Sequence, residues 1–227
     1  MNKKLFYIPF YIFVFSCSKK IVEELPITST SSDAIVYYKK AIKHFQIGEQ
    51  LEKRKYLDSA LILDPNFVLA LEFYDDPDLI KRKEDQNRAK SFISKISKEE
   101  HFILKIREGY RENNLDEALN YAEKLVSNKP NCFESYNWLG IVLSDRNELD
   151  KAIKTFKKSI DIYSDNYLAY DYLMGHHIPS GNRTMLPEEK RNIDLGLNYA
   201  DQLIRIRPEE GFSYHFKANC YRMIGDF

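Results

Sequence analysis

Two stretches of the chain, "NNLDEALNYAEKLVSNKPN" (113 to 131) and "NELDKAIKTFKKSIDIYSDN" (147 to 166), carry one pattern of polar and apolar positions. Each opens on an Asn turn, continues with Leu-Asp-x-Ala, and then shows the apolar spacing of an amphipathic helix. Their alanines, Ala118 and Ala152, stand 34 residues apart. The prolines keep related spacings: Pro65 to Pro130 is 65 residues, a 34-residue unit plus one of 31, and Pro130 to Pro208 is 78, a 34-residue unit plus one enlarged by 10. Self-similarity at this period predicts one helical unit used several times.

The amino-terminal part departs from the pattern. Lys3 and Lys4 precede an unbroken apolar run from Leu5 to Phe15, too short to span a bilayer but the right length for the apolar region of a secretory signal. Ser16 then stands directly before Cys17. Residues 1–16 resemble a bacterial lipoprotein signal, which implies cleavage before Cys17 and a lipid on that cysteine; an ordinary signal peptide with Cys17 there by chance is the alternative. Ser18 after the cysteine is compatible with the outer membrane, facing the periplasm or the cell surface. Residues 18–33, "SKKIVEELPITSTSSD", lack helical periodicity and are rich in Ser and Thr, so residues 17–33 are expected as a lipidated cysteine and flexible tether. Asp33 is a fair N-cap for the first helix of the repeat region.

Residues 133–166 resemble a tetratricopeptide repeat, a 34-residue pair of antiparallel helices, without a gap. Tyr136 stands at position 4, Leu139 and Gly140 at 7 and 8, Ala152 at 20 and Phe156 at 24; Ser159 occupies position 27 where Ala is commoner. Gly140 and Ala152 permit close approach of the two helices, and Tyr136, Leu139 and Phe156 fill the space around it. The resemblance covers 34–227 and divides it into 34–67, a degenerate 68–98 broken by "DDPD", 99–132, 133–166, 167–210 with a 10-residue insertion, and a half repeat 211–227. It implies an all-α fold, an α-solenoid of antiparallel helix pairs in a right-handed superhelix. The turn within a pair needs a residue tolerant of left-handed backbone angles, and Gly48, Asn113, Asn147 and Gly225 fall at that position. Two details stand out. Lys53 occupies position 20 of the first repeat, and sliding the first helix of 99–132 by one residue exchanges Phe102 and Ile106 for Ile103, Ile106 and Tyr110 at the apolar positions.

Composition changes the picture little. Only 8 Gly and 8 Pro with 30% charged residues suit long helices. Basic and acidic residues balance at 34 each; removing Lys3 and Lys4 with the signal leaves 32 against 34, so nothing favours nucleic acid and attachment would come from lipid alone. Cys132 and Cys220 are too few for a disulfide framework and are expected to pack separately. No HExxH, GxSxG or phosphate-cradling glycine loop occurs. His176 and His177 point in different directions on a helix, and "DDPD" (75 to 78) lacks a calcium loop's distal Glu, so no metal site, cofactor or catalytic residue is expected.

What remains is surface. In the tetratricopeptide family the first helices line a concave groove, with ligands on positions 2, 5, 9, 12 and 13. Here these give Tyr38, Arg107, Tyr110, Arg111, Glu134, Asn137, Asp145 and Asp171 as a partner-binding groove, Arg111 facing it in either register. Position 5 is never Lys, so capture of a free peptide carboxylate has no support. The expectation is a non-catalytic interaction scaffold for protein or peptide partners; the alternative is the amino-terminal part of a longer protein whose repeats position a further signalling or enzymatic domain. The half repeat sharpens that alternative. Residues 211–224 would leave Tyr214, Ala218 and Tyr221 unpaired, which predicts a truncated chain or a face covered by a partner or a second copy.

Overall fold

The computed structural model of the chain describes residues 22–178 and 184–225, without the side chain of Ile224. Cys17 and the signal lie outside the described residues. Eleven α-helices occur among them in order: α1 (Ser32–Gln46), α2 (Gln50–Leu63), α3 (Val68–Phe73), α4 (Leu79–Ser91), α5 (Lys98–Arg111), α6 (Leu115–Asn128), α7 (Phe133–Asp145), α8 (Leu149–Ile162), α9 (Tyr167–His177), α10 (Ile193–Ile206) and α11 (Gly211–Ile224). They pack as successive pairs from α1 with α2 to α9 with α10, each pair leaning on the next, and α11 packs on α10.

The turns obey the backbone argument. Among the described residues, positive φ occurs at Gly48 (79°), Asn113 (55°), Asn147 (62°) and Gly225 (73°), the same repeat position each time. The two pairs without such a residue are those joined differently, α3 to α4 through "DDPD" and α9 to α10 through the insertion. Inside α7 and α8 the close approach is at Gly140: a Cβ there would stand 2.6 Å from the ring of Phe156, which is fully buried. Ala118 and Ala152 are likewise fully buried. Tyr136 is less central than its position suggests; its hydroxyl donates to the Pro130 carbonyl at 3.1 Å from an exposed edge.

The irregular positions have local causes. Asp78 caps α4, accepting from the Ile80 amide at 2.9 Å, and Asp75 accepts from Lys53 Nζ at 2.9 Å. Lys53 thus buries its stem where other repeats place Ala, with its ammonium 5.3 Å from the centre of the Phe45 ring. Ser159 donates to the Phe133 carbonyl at 2.8 Å or to Asn137 Oδ1 at the same distance, so its hydroxyl is used rather than wasted. The choice of register for α5 disappears, since Phe102, Ile103 and Ile106 are all buried. A helix packed on two sides needs a wide apolar face.

Two expectations are corrected or sharpened. The segment 22–31, expected as part of a flexible tether, runs extended along the starts of α7 and α5 and enters α1 through Ser31, whose hydroxyl accepts from the Ala34 amide at 3.2 Å. Ser31, rather than Asp33, is the N-cap. At the other end α11 buries Ser213, Phe216 and Cys220 and leaves Phe212, Tyr214, Ala218 and Tyr221 exposed. Cys132 and Cys220 are free and buried, and burial pushes each thiol up to about 11.

The Gly140 contact gives a direct test of the pair packing. Gly140→Ala should cost about 1–3 kcal/mol by overpacking, read from the midpoint of urea unfolding. An unchanged midpoint would mean that the Phe156 ring is free to retreat.

Candidate functional site

The concave side of the helix pairs encloses a groove of about 1080 Å³. Its walls come mainly from α1, α5, α7 and α9, with α3 and α4, from residues within 22–27, and from the end of α10 with Arg207, Glu209 and Glu210 after it. The first and fifth repeats meet across its end. Arg207 Nη2 donates to Gln46 Oε1 at 3.1 Å, its other terminal nitrogen lies 3.4 Å from the Lys43 carbonyl, and its guanidinium stacks 4.2 Å from the centre of the Tyr167 ring.

The eight expected groove residues separate into three situations. Arg107, Tyr110, Arg111 and Asp145 come together. Arg107 donates to Glu72 Oε1 at 3.2 Å and to the Glu72 carbonyl at 3.0 Å while its guanidinium covers the Phe73 ring at 4.1 Å; Arg111 pairs with the same Glu72 carboxylate. Arg107 also lies 4.0 Å from Asp75 Oδ1, so the two cations face two carboxylates, and Arg111 is the more exposed of the pair. Tyr110 donates to Asp145 Oδ2 at 2.7 Å, and burial followed by this bond to a carboxylate drives its phenol far above its ordinary value. Asp145 itself is exposed.

Glu134 lies elsewhere, under the amino-terminal segment. The remaining three belong to the interior. Tyr38 is buried against Phe67 and Phe73, with ring centres 5.2 and 5.9 Å away. Asn137 lines the groove but is 6% exposed and held in a buried network, its Oδ1 accepting from Asn166 Nδ2 at 2.8 Å. Asp171 is 5% exposed and is not among the residues lining the groove.

The segment is held by a row of carboxylates. The Leu25 amide donates to Glu134 Oε2 at 2.9 Å. The Thr28 amide and hydroxyl donate to the two oxygens of Glu100 at 2.7 and 2.6 Å. The Ser29 hydroxyl and Thr30 amide donate to Asp64 Oδ2 at 2.6 and 2.8 Å. Glu100 and Glu134 both occupy repeat position 2, 34 residues apart, whereas Leu25 and Thr28 are three apart. Three extended residues cover about 10 Å, and the segment meets Glu134 and Glu100 in turn before reaching Asp64, which lies at position 31 of the first repeat. Glu100 is fully buried and also completes a capping box with Ser97, accepting from its amide at 2.8 Å. Leu25 is buried, Glu23 bridges Cys132, and Lys129 Nζ donates to Glu23 at 2.7 Å. Burial raises the Glu134 carboxyl, opposed by the Leu25 amide; at Asp64 burial also pulls upward, but the bonds from Ser29, Thr30 and Asn66 outweigh it and the value falls below its usual 3.8.

Glu72, Glu100 and Asp64 were not among the expected site residues. Glu100 was accessible in principle, since it precedes Glu134 by one repeat length and follows Ser97 as a capping-box acid. The histidine pair serves the fold: His176 Nδ1 donates to the Thr184 carbonyl at 2.8 Å, and His177 Nδ1 accepts from the Asn192 amide at 3.3 Å, fastening the inserted loop. Among the described residues, no group of three or more His, Cys, Asp and Glu is placed to hold a metal ion.

No family model matches the chain, and no curated protein sequence matches it significantly. Solved structures do. A thermophilic TPR protein of Thermus thermophilus aligns with a TM-score of 0.53 at 14% identity, covering 83% of this chain and 99% of its own. PilW, a widely conserved type IV pilus biogenesis factor, aligns with a TM-score of 0.50 at 15% identity, covering 86% of this chain and 88% of its own. The fold is an all-helical solenoid of the tetratricopeptide kind.

Two outcomes test the carboxylate row. Thr28→Val removes one charge-assisted bond worth about 1.5–3 kcal/mol, so a glutamyl endoprotease should cut at Glu23 and Glu24 about ten to a hundred times faster than in the wild type. Because the Asp64 value is lowered on folding, its stabilisation is present above 3.8 and is lost as pH falls through the lower folded value. Asp64→Asn should therefore flatten the drop of Tm between pH 4 and about pH 2.

Proposed function

We propose that this chain is a non-catalytic interaction scaffold that receives an extended segment of a partner protein in its concave groove. The observation that carries the proposal is that the groove wall already holds a segment of the chain by carboxylates, two of which, Glu100 and Glu134, share one repeat position. Beyond that segment the cavity stays open, with Arg111, Tyr110 and Asp145 at its wall. Arginine and tyrosine supply much of the energy in protein interfaces, and Arg111 is the more exposed of the two arginines at this wall.

We further propose that lipid on Cys17 holds the scaffold to the cell envelope, at the outer membrane. Four residues, spanned in five Cα-to-Cα steps, separate Cys17 from Val22, the first described position. Fully extended they reach about 18 Å, so a docked segment would hold the solenoid close to the lipid surface instead of on a long leash. Among the described residues no helix is long and apolar enough to cross a membrane.

The two parts of the proposal separate experimentally. Cys17→Ala should shift the protein from the detergent phase to the aqueous phase and leave its helical circular dichroism unchanged. Arg111→Ala with Asp145→Ala should abolish partner crosslinks in intact cells while the helical circular dichroism is unchanged, because Arg107 still pairs with the buried Glu72. Crosslinks that survive the double substitution would exclude the groove as the contact surface.

A further inference from the structure

Of residues 22–31 only Leu25 has its side chain buried, with Ile27 packed half-buried against the same core; the hydrogen bonds of the grip are directed at main-chain amides and at the hydroxyls of Thr28 and Ser29. A seal needed only to cover the starts of α5 and α7 would be apolar, because desolvating carboxylates is unfavourable unless their bonds are well made. Glu134, Glu100 and Asp64 instead read one chain at the amides of Leu25, Thr28 and Thr30, the main-chain contact by which proteins recognise peptides. The three acids stand at helix starts and at the turn after α2, so departure of the segment exposes them to water instead of leaving them orphaned.

We propose that Asp64, Glu100 and Glu134 form a peptide-recognition row, and that residues 22–31 are its resident ligand, standing in for a partner segment of the same chemistry. That partner is an extended chain with a leucine-like side chain, an amide and a hydroxyl three residues later, and a second hydroxyl on the next residue. This rests on the scaffold role above and names the partner class for it. A tethered ligand has an effective concentration on the order of millimolar, so an outside peptide displaces it only by adding contacts. The continuous groove running from Glu134 toward Asp145 and Arg111 supplies them.

The probe is a fluorescein-labelled synthetic peptide of residues 22–31, titrated against the full chain and followed by fluorescence anisotropy. The wild type, its row occupied, should bind weakly. Leu25→Asp with Thr28→Val, which loosens the resident segment, should bind the peptide at least ten times more tightly, and adding Glu134→Gln should reverse most of that gain. Equal binding to wild type and double variant, or binding to neither, overturns the proposal. So does loss of the helical circular dichroism in the double variant, because a resident ligand must be dispensable for folding. The Arg111 and Asp145 crosslinking result is independent of the row, so a failed peptide titration with groove-dependent crosslinks removes this inference and leaves the scaffold role standing.

Discussion

The ring of Phe156 rests on the backbone of Gly140 with no space for a Cβ between them, and the rest of the architecture depends on close packing of this kind within each helix pair. Close approach with a left-handed turn residue fixes the angle and offset of two helices. Repeating that unit every 34 residues fixes where the next pair falls. Equivalent positions then line up in rows across the solenoid. A row is a property of the repeat, not of any one helix, and it gives Glu100 and Glu134 a common direction.

The rows carry different chemistry along the groove. At the helix starts they present carboxylates that accept from an extended main chain. At the far ends of α5 and α7 they present Arg107, Arg111, Tyr110 and Asp145, organised around Glu72. Glu72 is nearly inaccessible, so its cost of burial is tolerated only because two guanidiniums and their hydrogen bonds surround it. The pairing holds Arg111 in place while leaving it partly open to the cavity, which limits the conformational entropy an incoming partner would have to remove.

Much of the helical framework was legible in the chain itself. The spacing of Ala118 and Ala152, and the recurrence of Gly or Asn at one turn position, mark the pairs and their joints because helix packing and positive φ restrict residue type. The docked segment was not legible. Recognition through main-chain amides leaves no side-chain periodicity, so "VEELPITSTS" has the composition of a tether although it is held at Leu25, Thr28 and Thr30. Asn137 lines the groove as its repeat position implies, but its amide is used by Asn166 and Ser159, a buried network that repeat position alone does not announce. The meeting of Arg207 with α1 is of the same kind, a contact between residues 161 positions apart that no local pattern announces.

The most direct test of the central claim is amide hydrogen exchange of the full chain at residue resolution. A segment seated on the carboxylate row predicts an uneven pattern: the amides of Leu25, Thr28 and Thr30 exchanging about a hundred times slower than in an unstructured peptide, and that of Ile27 considerably faster. Uniform exchange at the rate of an unstructured peptide across residues 22–30 would contradict it.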